Sequence, residues 1–374
     1  MTFFKKIFLF NILFILIFSS CKNDLKLNAP YKEYPSVYAI LVPQNTIQMI
    51  RVNKIFLGEG DANKMAQVAD SINYPAGELV ITLERYLGGV KTVATPTGNK
   101  NIITFHDSII QTAPGAFNTT QRVYVTSDKL FTWGDYELTI TNTKTKNVFT
   151  SRTSALDSVK PSGLTPLCPP YYPVPLNNAN QGNTSVYVNY GKPQNSYAIR
   201  FYPNEAILYQ VTMRLHYFDS LLTGINKTAY ADMPFTNQTN KEVSYVGSQG
   251  PFITNSFKGA EIYSTIAAAM EKNSLSTLSI AGRRMYKGEF IIYSSTQDYS
   301  DYLQFAAPSL SIAQDKPIYS NFNKRAAIGI FAFRARCTVV KELDAEFITQ
   351  FAINANTCKY KFFQVPQMVL GVCP

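Results

Sequence analysis

The residues whose chemistry is most plainly written in this chain are Ser19-Ser20-Cys21. Two small residues before a cysteine form a lipoprotein cleavage box, and the Cys21 thiol is the atom that would carry acyl chains as the first mature residue. The preceding residues fit that chemistry. Lys5 and Lys6 make a positive start, and Ile7 to Phe18 is apolar apart from Asn11. The run is shorter than the about 20 apolar residues of a spanning helix, and polar Lys22-Asn23-Asp24 follows it. Residues 1–20 are therefore read as a signal peptide and 21–34 as a lipidated tether. The remainder is expected outside the cytoplasm, lipid-anchored at the outer membrane, with the leaflet left open.

Four more cysteines, Cys168, Cys337, Cys358 and Cys373, lie in the exported part. An even number in an oxidising compartment points to two disulfides, and four cysteines allow three pairings. The three cysteines near the carboxy terminus are expected to pin the last strands, with Cys168 anchoring a proline-rich linker to the second domain. No C-x-x-C pair exists, which argues against a zinc ribbon or a redox motif.

Catalytic patterns are sparse. His106-Asp107-Ser108 sets three catalytic residue types side by side, but neighbours in a strand point to opposite faces and cannot form a triad. His216 falls on the polar face of an alternating strand. Asp298, Asp301 and Glu289 could supply paired carboxylates for a hydrolase, yet no motif places them together. Glu59, Asp61 and Asn63 put three oxygen-bearing side chains in one loop, a weak calcium pattern better read as a solvated turn. Nucleophile elbows, H-E-x-x-H helices and phosphate-cradling loops are absent from the sequence. No catalytic residue and no cofactor is assigned.

These residues must be positioned by β structure. Aromatic residues make up 13% of the chain and charged residues only 16%, which favours pleated, half-buried surfaces over long solvated helices. Ser36 to Val42, Ile47 to Phe56, Glu78 to Tyr86, Asn101 to His106 and Arg122 to Thr126 read as strands. Gly134-Asp135-Tyr136-Glu137-Leu138-Thr139-Ile140 resembles the penultimate strand of immunoglobulin-like sandwiches, where the tyrosine hydroxyl bonds to backbone at a corner. Prolines between 157 and 183 break regular pairing and mark a linker. Beyond it, Tyr209, Val211, Met213, Leu215 and Tyr217 alternate with polar residues. Helices are expected near 259–272, from Ile262, Ile266 and Met270, and near 296–306, with Ser295 and Asp298 as a capping box. The fold expected is mainly β: two β-sandwich-like, immunoglobulin- or fibronectin-like domains at 35–156 and 184–374, the second with one or two inserted short helices.

The formal charge of +10 is scattered. Together with export it argues against nucleic acid. Basic pairs such as Arg283-Arg284 and Lys324-Arg325 are expected at the surface, serving solubility or meeting anionic headgroups or an acidic partner.

Several segments together resemble a group of Bacteroidota lipoproteins without established activity. They are Asp24 to Tyr31, Val37 to Leu41, Arg51 to Gly58, Tyr319-Ser320-Asn321-Phe322-Asn323 and Gly329-Ile330-Phe331. Such families usually carry a more glycine-rich turn where this chain has Lys324-Arg325-Ala326-Ala327. Relatives of the group are often encoded beside TonB-dependent outer-membrane receptors, so the resemblance implies such a receptor as partner. Asp-Ser-aliphatic triplets at Ser71, Ser108, Ser158 and Ser220 likewise resemble the O-glycosylation acceptor motif of exported proteins in that phylum. The function expected is a non-enzymatic binding or accessory module of the cell envelope. The alternatives are an exported hydrolase of envelope or dietary polymers and a structural or adhesive spacer.

Overall fold

The structure is a computed structural model. It describes residues 33–55, 62–92, 100–115, 118–156, 174–176, 187–188, 191–201, 203–246, 249–273, 279–306, 318–366 and 368–374. The strands are β1 (Pro35–Leu41), β2 (Gln48–Lys54), β3 (Leu79–Leu87), β4 (Val90–Lys91), β5 (Ile102–Gln111), β6 (Thr120–Thr126), β7 (Asp135–Asn142), β8 (Val148–Ser154), β9 (Val174–Leu176), β10 (Tyr187–Val188), β11 (Ser196–Phe201), β12 (Leu208–Leu221), β13 (Asn226–Pro234), β14 (Gln238–Thr239), β15 (Val243–Val246), β16 (Gln249–Lys258), β17 (Ile280–Ser295) and β18 (Ile328–Leu343). Five α-helices accompany them among the described residues: α1 (Ala62–Ala66), α2 (Ala69–Ile72), α3 (Gly259–Asn273), α4 (Gln297–Ala306) and α5 (Ala345–Ile353). The chain is thus mainly β with a few short helices.

Period-two alternation decides which side of each strand is buried. In the first half, Val37, Ala39 and Leu41 of β1, Ile50 and Val52 of β2, and Tyr124 of β6 face Leu79, Ile81 and Leu83 of β3 and Leu138 and Ile140 of β7 in one core. β5 links the two layers. Its first residues pair with β3, and from His106 onward it pairs with β6. The layers then run β1-β2-β6-β5 and β5-β3-β7-β8, the arrangement of a β-sandwich.

β18 extends the first layer. It lies parallel to β1, with Val37 opposite Gly329 and Leu41 opposite Phe333. Phe331 and Phe333 enter the core of the first half, where the Phe333 ring sits 5.0 Å from Tyr136 on the facing layer. The other end of β18 pairs with β17, and the sheet continues through β12 to β13. On its inner face Val211, Met213 and Leu215 pack with Ile262, Ile266 and Met270 of α3 and Phe347 and Phe351 of α5. A separate four-stranded sheet, β15-β16-β11-β9, contributes Ile253, Phe257 and Ile199 to that core.

Short sequence signals lock the junction. Gly329 has φ +109°, and a Cβ there would stand 1.9 Å from the Val37 carbonyl oxygen, so the parallel approach of β1 needs glycine at this position. Asn321 pairs with both backbone groups of Phe331, donating to its carbonyl at 2.7 Å and accepting from its N–H at 3.0 Å. The turn between them holds Lys324 at φ 55° and Arg325 at φ 49°. These are left-handed conformations that glycine adopts without penalty.

The tyrosine corner expected at Tyr136 is present. Its hydroxyl accepts from the Phe131 N–H at 2.9 Å and donates to the Phe131 carbonyl. The same five-residue clamp recurs between Tyr197 and Lys192 and between Tyr209 and Asn204. Burial pushes the Tyr209 hydroxyl up to about 12, so it stays protonated and able to donate.

Two local expectations are corrected. Arg283 is not a surface residue: it is 0% exposed and ion-paired to Asp219. Asp298 does not close a capping box with Ser295. It accepts from the Thr153 hydroxyl instead, and Ser295 is buried at the end of β17. In both cases a partner distant in sequence decides where the side chain goes.

Candidate recognition face

The outer side of β2-β1-β18-β17-β12-β13 gathers polar and aromatic side chains that do not belong to either core. Each is placed there by alternation with a buried neighbour. Arg51 lies between Ile50 and Val52, Tyr38 between Val37 and Ala39, and Arg334 between Phe333 and Ala335. Arg214 and His216 alternate with Met213, Leu215 and Tyr217, which are at most 2% exposed.

At the β12-β13-β17 end, His216 Nε2 lies 2.6 Å from Glu289 Oε2. Tyr230 and Tyr286 flank the imidazole with centroids at 6.2 and 5.9 Å, and Phe218 stacks on Tyr286 at 4.5 Å. Tyr286 reaches this group because the β12–β17 register shifts between His216 and Tyr217, pairing His216 with Lys287 and Tyr217 with Met285. That leaves Tyr286 as the extra residue of a bulge. Arg214 donates to both Asp232 oxygens, at 2.7 and 2.9 Å, and its guanidinium lies 3.9 Å from the Tyr230 ring centroid. The bond to Asp232 holds the Arg214 pKa above its usual value. The polar groups here are paired before any ligand arrives, on rigid strands.

At the β1-β18 end, α4 lies on the same face, with Tyr299 packed against Ile330 and Ala332. The Arg334 guanidinium sits 4.0 Å from the Tyr293 ring centroid and 4.6 Å from that of Tyr299. Its Nη2 donates to Gln210 Oε1 at 2.7 Å and its Nε to the Ser295 hydroxyl at 3.2 Å. Tyr38, 47% exposed, meets Tyr302 edge-on at 6.2 Å.

A cleft of about 420 Å³ lies apart from this face, lined by Glu33, Lys54, Ser71, Tyr74, Glu78 and Asn142 among others. Asn142 donates to Glu33 at 2.6 Å and to Glu78 at 2.9 Å. Glu33 also accepts from Thr145 and Asn147, each at 2.6 Å.

The residues singled out from sequence are dispersed. Cys21, Cys168, Ser158, Glu59 and Asp61 lie outside the described residues. Asn63 falls within α1. Among the described residues no group of three His, Cys, Asp or Glu side chains could hold a metal ion. Cys358 and Cys373 form a disulfide with Cα atoms 5.2 Å apart, and Cys337 is also disulfide-bonded. Ser71, Ser108 and Ser220 are half-buried. The Asp219 that precedes Ser220 is buried and paired, which removes the acid of that triplet from the surface. Asp107 accepts from the Gly77 N–H at 2.7 Å, and Arg122 lies 3.7 Å away. Of the three carboxylates considered for hydrolysis, Glu289 is bound by His216, Asp298 by Thr153, and Asp301 by Gln297.

Alternation alone placed His216 on a polar face. It gave no hint of Glu289 as its partner, nor of the arginine between two tyrosine rings. The chain matches no protein-family model and no curated protein.

Proposed function

We propose that this protein is an outer-membrane lipoprotein, anchored through acylated Cys21, that works as a non-enzymatic binding or accessory module beside a larger membrane partner such as a TonB-dependent receptor. The observation that carries the binding role is the outer face of the long sheet, where fixed polar pairs and partly exposed tyrosines stand on rigid strands. Interfaces are enriched in tyrosine and arginine in this way. The anchor rests on the signal ending at Cys21, and among the described residues no helix is long and apolar enough to cross a membrane. A binding role is favoured over hydrolysis because the three candidate carboxylates are each held by a different partner and are not joined to one another by any hydrogen bond.

Two measurements test this reading. Replacing Cys21 with serine should move the protein from the membrane fraction to the soluble fraction with its fold intact. Retention on membranes after a salt wash would mean that lipid is not the anchor. Affinity capture of the acylated protein from detergent-solubilised envelopes should recover a β-barrel receptor, and recovery of the protein alone under mild conditions would overturn the accessory role.

A further inference from the structure

The described arginines divide by whether they meet a carboxylate. Arg122, Arg152, Arg214 and Arg283 each do. Arg85 and Arg334 do not: Arg85 is buried against the Phe131 and Trp133 rings and donates to the Trp133 carbonyl, whereas Arg334 is half-buried on the outer face. A guanidinium withdrawn from water without a counter-charge is unfavourable, and such groups persist where surrounding structure holds them. Here the holding is specific. Two tyrosine rings bracket the guanidinium plane, and Ser295 and Gln210 take up its Nε and one N–H of Nη2. The Nη1 N–H groups have no acceptor among the described residues, and they are oriented by bonds the protein has already made. Burial pulls the Arg334 pKa below the usual arginine value, opposed only by Tyr299, Tyr293 and Tyr38, and no carboxylate contributes.

The surroundings extend this charge. Arg51 stands opposite Tyr38 in the β1–β2 register, and Arg336 stands opposite Tyr293 in the β17–β18 register. Neither forms an ion pair among the described residues. Both Arg334 and Arg51 lower the Tyr38 pKa, against burial that raises it. Tyr38 and Met49, each 47% exposed, supply apolar rim contact. Three arginines with no acid of their own, on a face where Tyr38 is exposed and Tyr293 half-buried, form a surface whose complement is an acidic chain.

We propose that the Arg334 guanidinium, with Arg51 and Tyr38 on the same face of the sheet, receives a carboxylate side chain from an acidic segment of the partner protein. A planar fork of N–H groups matches a carboxylate in two parallel bonds, and its seat between two rings suits a side chain that projects into it. The proposal rests on the accessory-module reading and names the chemistry of the partner's docking segment.

The test uses the full mature protein and a fluorescein-labelled hexaglutamate peptide, followed by fluorescence anisotropy at low salt. Saturable binding is expected, weakened about tenfold or more by Arg334→Gln, as befits loss of a charge-assisted hydrogen bond. Arg334→Lys should not restore it, because an ammonium lacks the fork. Arg51→Gln should weaken binding a few-fold, and if Arg334→Gln does not fold, the exposed-side double variant Arg51→Gln/Arg336→Gln carries the same comparison. Equal binding by the variants, absence of saturable binding, or preference for phosphatidylglycerol vesicles over the peptide would each overturn the proposal. Capture of the β-barrel partner by the Arg334→Gln protein at the wild-type level would overturn this site while leaving the accessory role standing. Failure of the wild-type protein to capture any partner would remove the accessory role itself.

Discussion

Arg283 Nε donates to Asp219 Oδ1 at 2.6 Å in a pair whose side chains are 0% and 3% exposed. The same guanidinium donates from Nη1 to the Tyr360 carbonyl at 2.8 Å, and the Arg283 backbone bonds to Lys361 and Phe363. One buried cation thereby joins β12, β17 and the carboxy-terminal segment. Removing one partner of such a pair strands the other charge, which costs about 3–5 kcal/mol, whereas replacing both by apolar groups of similar volume costs far less. Asp219→Ala should therefore lower unfolding free energy by about that amount in urea denaturation, and the double variant Asp219→Leu/Arg283→Met should recover much of it. A loss under about 1 kcal/mol for the single change would show that the pair does not bear on stability.

The Cys358–Cys373 bridge closes a loop of sequence separation 15 around that same segment. In the chain-entropy description a loop of this length stabilises by about 3 kcal/mol. The Cys358→Ser/Cys373→Ser protein should lose about that much and show faster amide exchange at Tyr360 and Lys361. Digestion without reductant bears on the other cysteines. If Cys21 carries lipid, the Cys337 peptide should migrate with the peptide containing Cys168, and a free Cys168 thiol would contradict it.

The left-handed turn at Lys324 and Arg325 offers a stabilising change. A side chain in that region costs about 1–2 kcal/mol, part of which glycine gives back through a more flexible unfolded chain. Lys324→Gly should raise stability by about 0.5–1 kcal/mol, read as a higher melting temperature. A lower melting temperature would mean that the lysine side chain makes a compensating contact.

Glu33 gives a pH dependence. Burial pushes its carboxyl up, but hydrogen bonds from Thr145, Asn147, Asn142 and Tyr74 outweigh burial and hold it below the usual carboxylate range. A carboxyl depressed in the folded state adds stability above its unfolded pKa and loses that contribution as pH falls through the folded value. Protease cleavage near residues 33–35 should therefore stay slow at neutral pH and accelerate under acid below the usual carboxylate range. Glu33→Gln should cleave faster at neutral pH and show little further change on acidification. An unchanged acid profile in that variant would assign the transition to another group.

The parts of this fold legible in sequence were those decided by near neighbours. Tyr209 to Tyr217 alternates so regularly that its core face is evident from residue types alone, and Tyr136 announces its corner through the strand that contains it. The helix from Ala345 to Ile353 was missed, although Phe347, Ile348, Phe351 and Ala352 repeat at helical spacing and Asp344 caps it by accepting from the Glu346 N–H at 2.8 Å. Long-range choices left no such trace. Arg283 and Arg334 look alike in sequence, each on a strand amid aromatic residues, and only tertiary neighbours decide that one finds an aspartate and the other two tyrosine rings. The parallel partner of β1 was hidden for the same reason, since no local pattern points from Val37 to Gly329.

That pairing sets a clock on the first sandwich. Gln44 and Arg336 hydrogen-bond across 292 residues of chain, beside the rows that join β1 to β18. A polypeptide made from its amino end presents β1 and β2 long before β18 follows. Until then Val37 and Ala39 lack the neighbour that covers their edge, and the slots of Phe331 and Phe333 stand empty. Closing a contact over such a span is slow. Completion of the first half waits for Ile328–Phe333 of β18, which makes its full closure a report that the chain has been made at least that far.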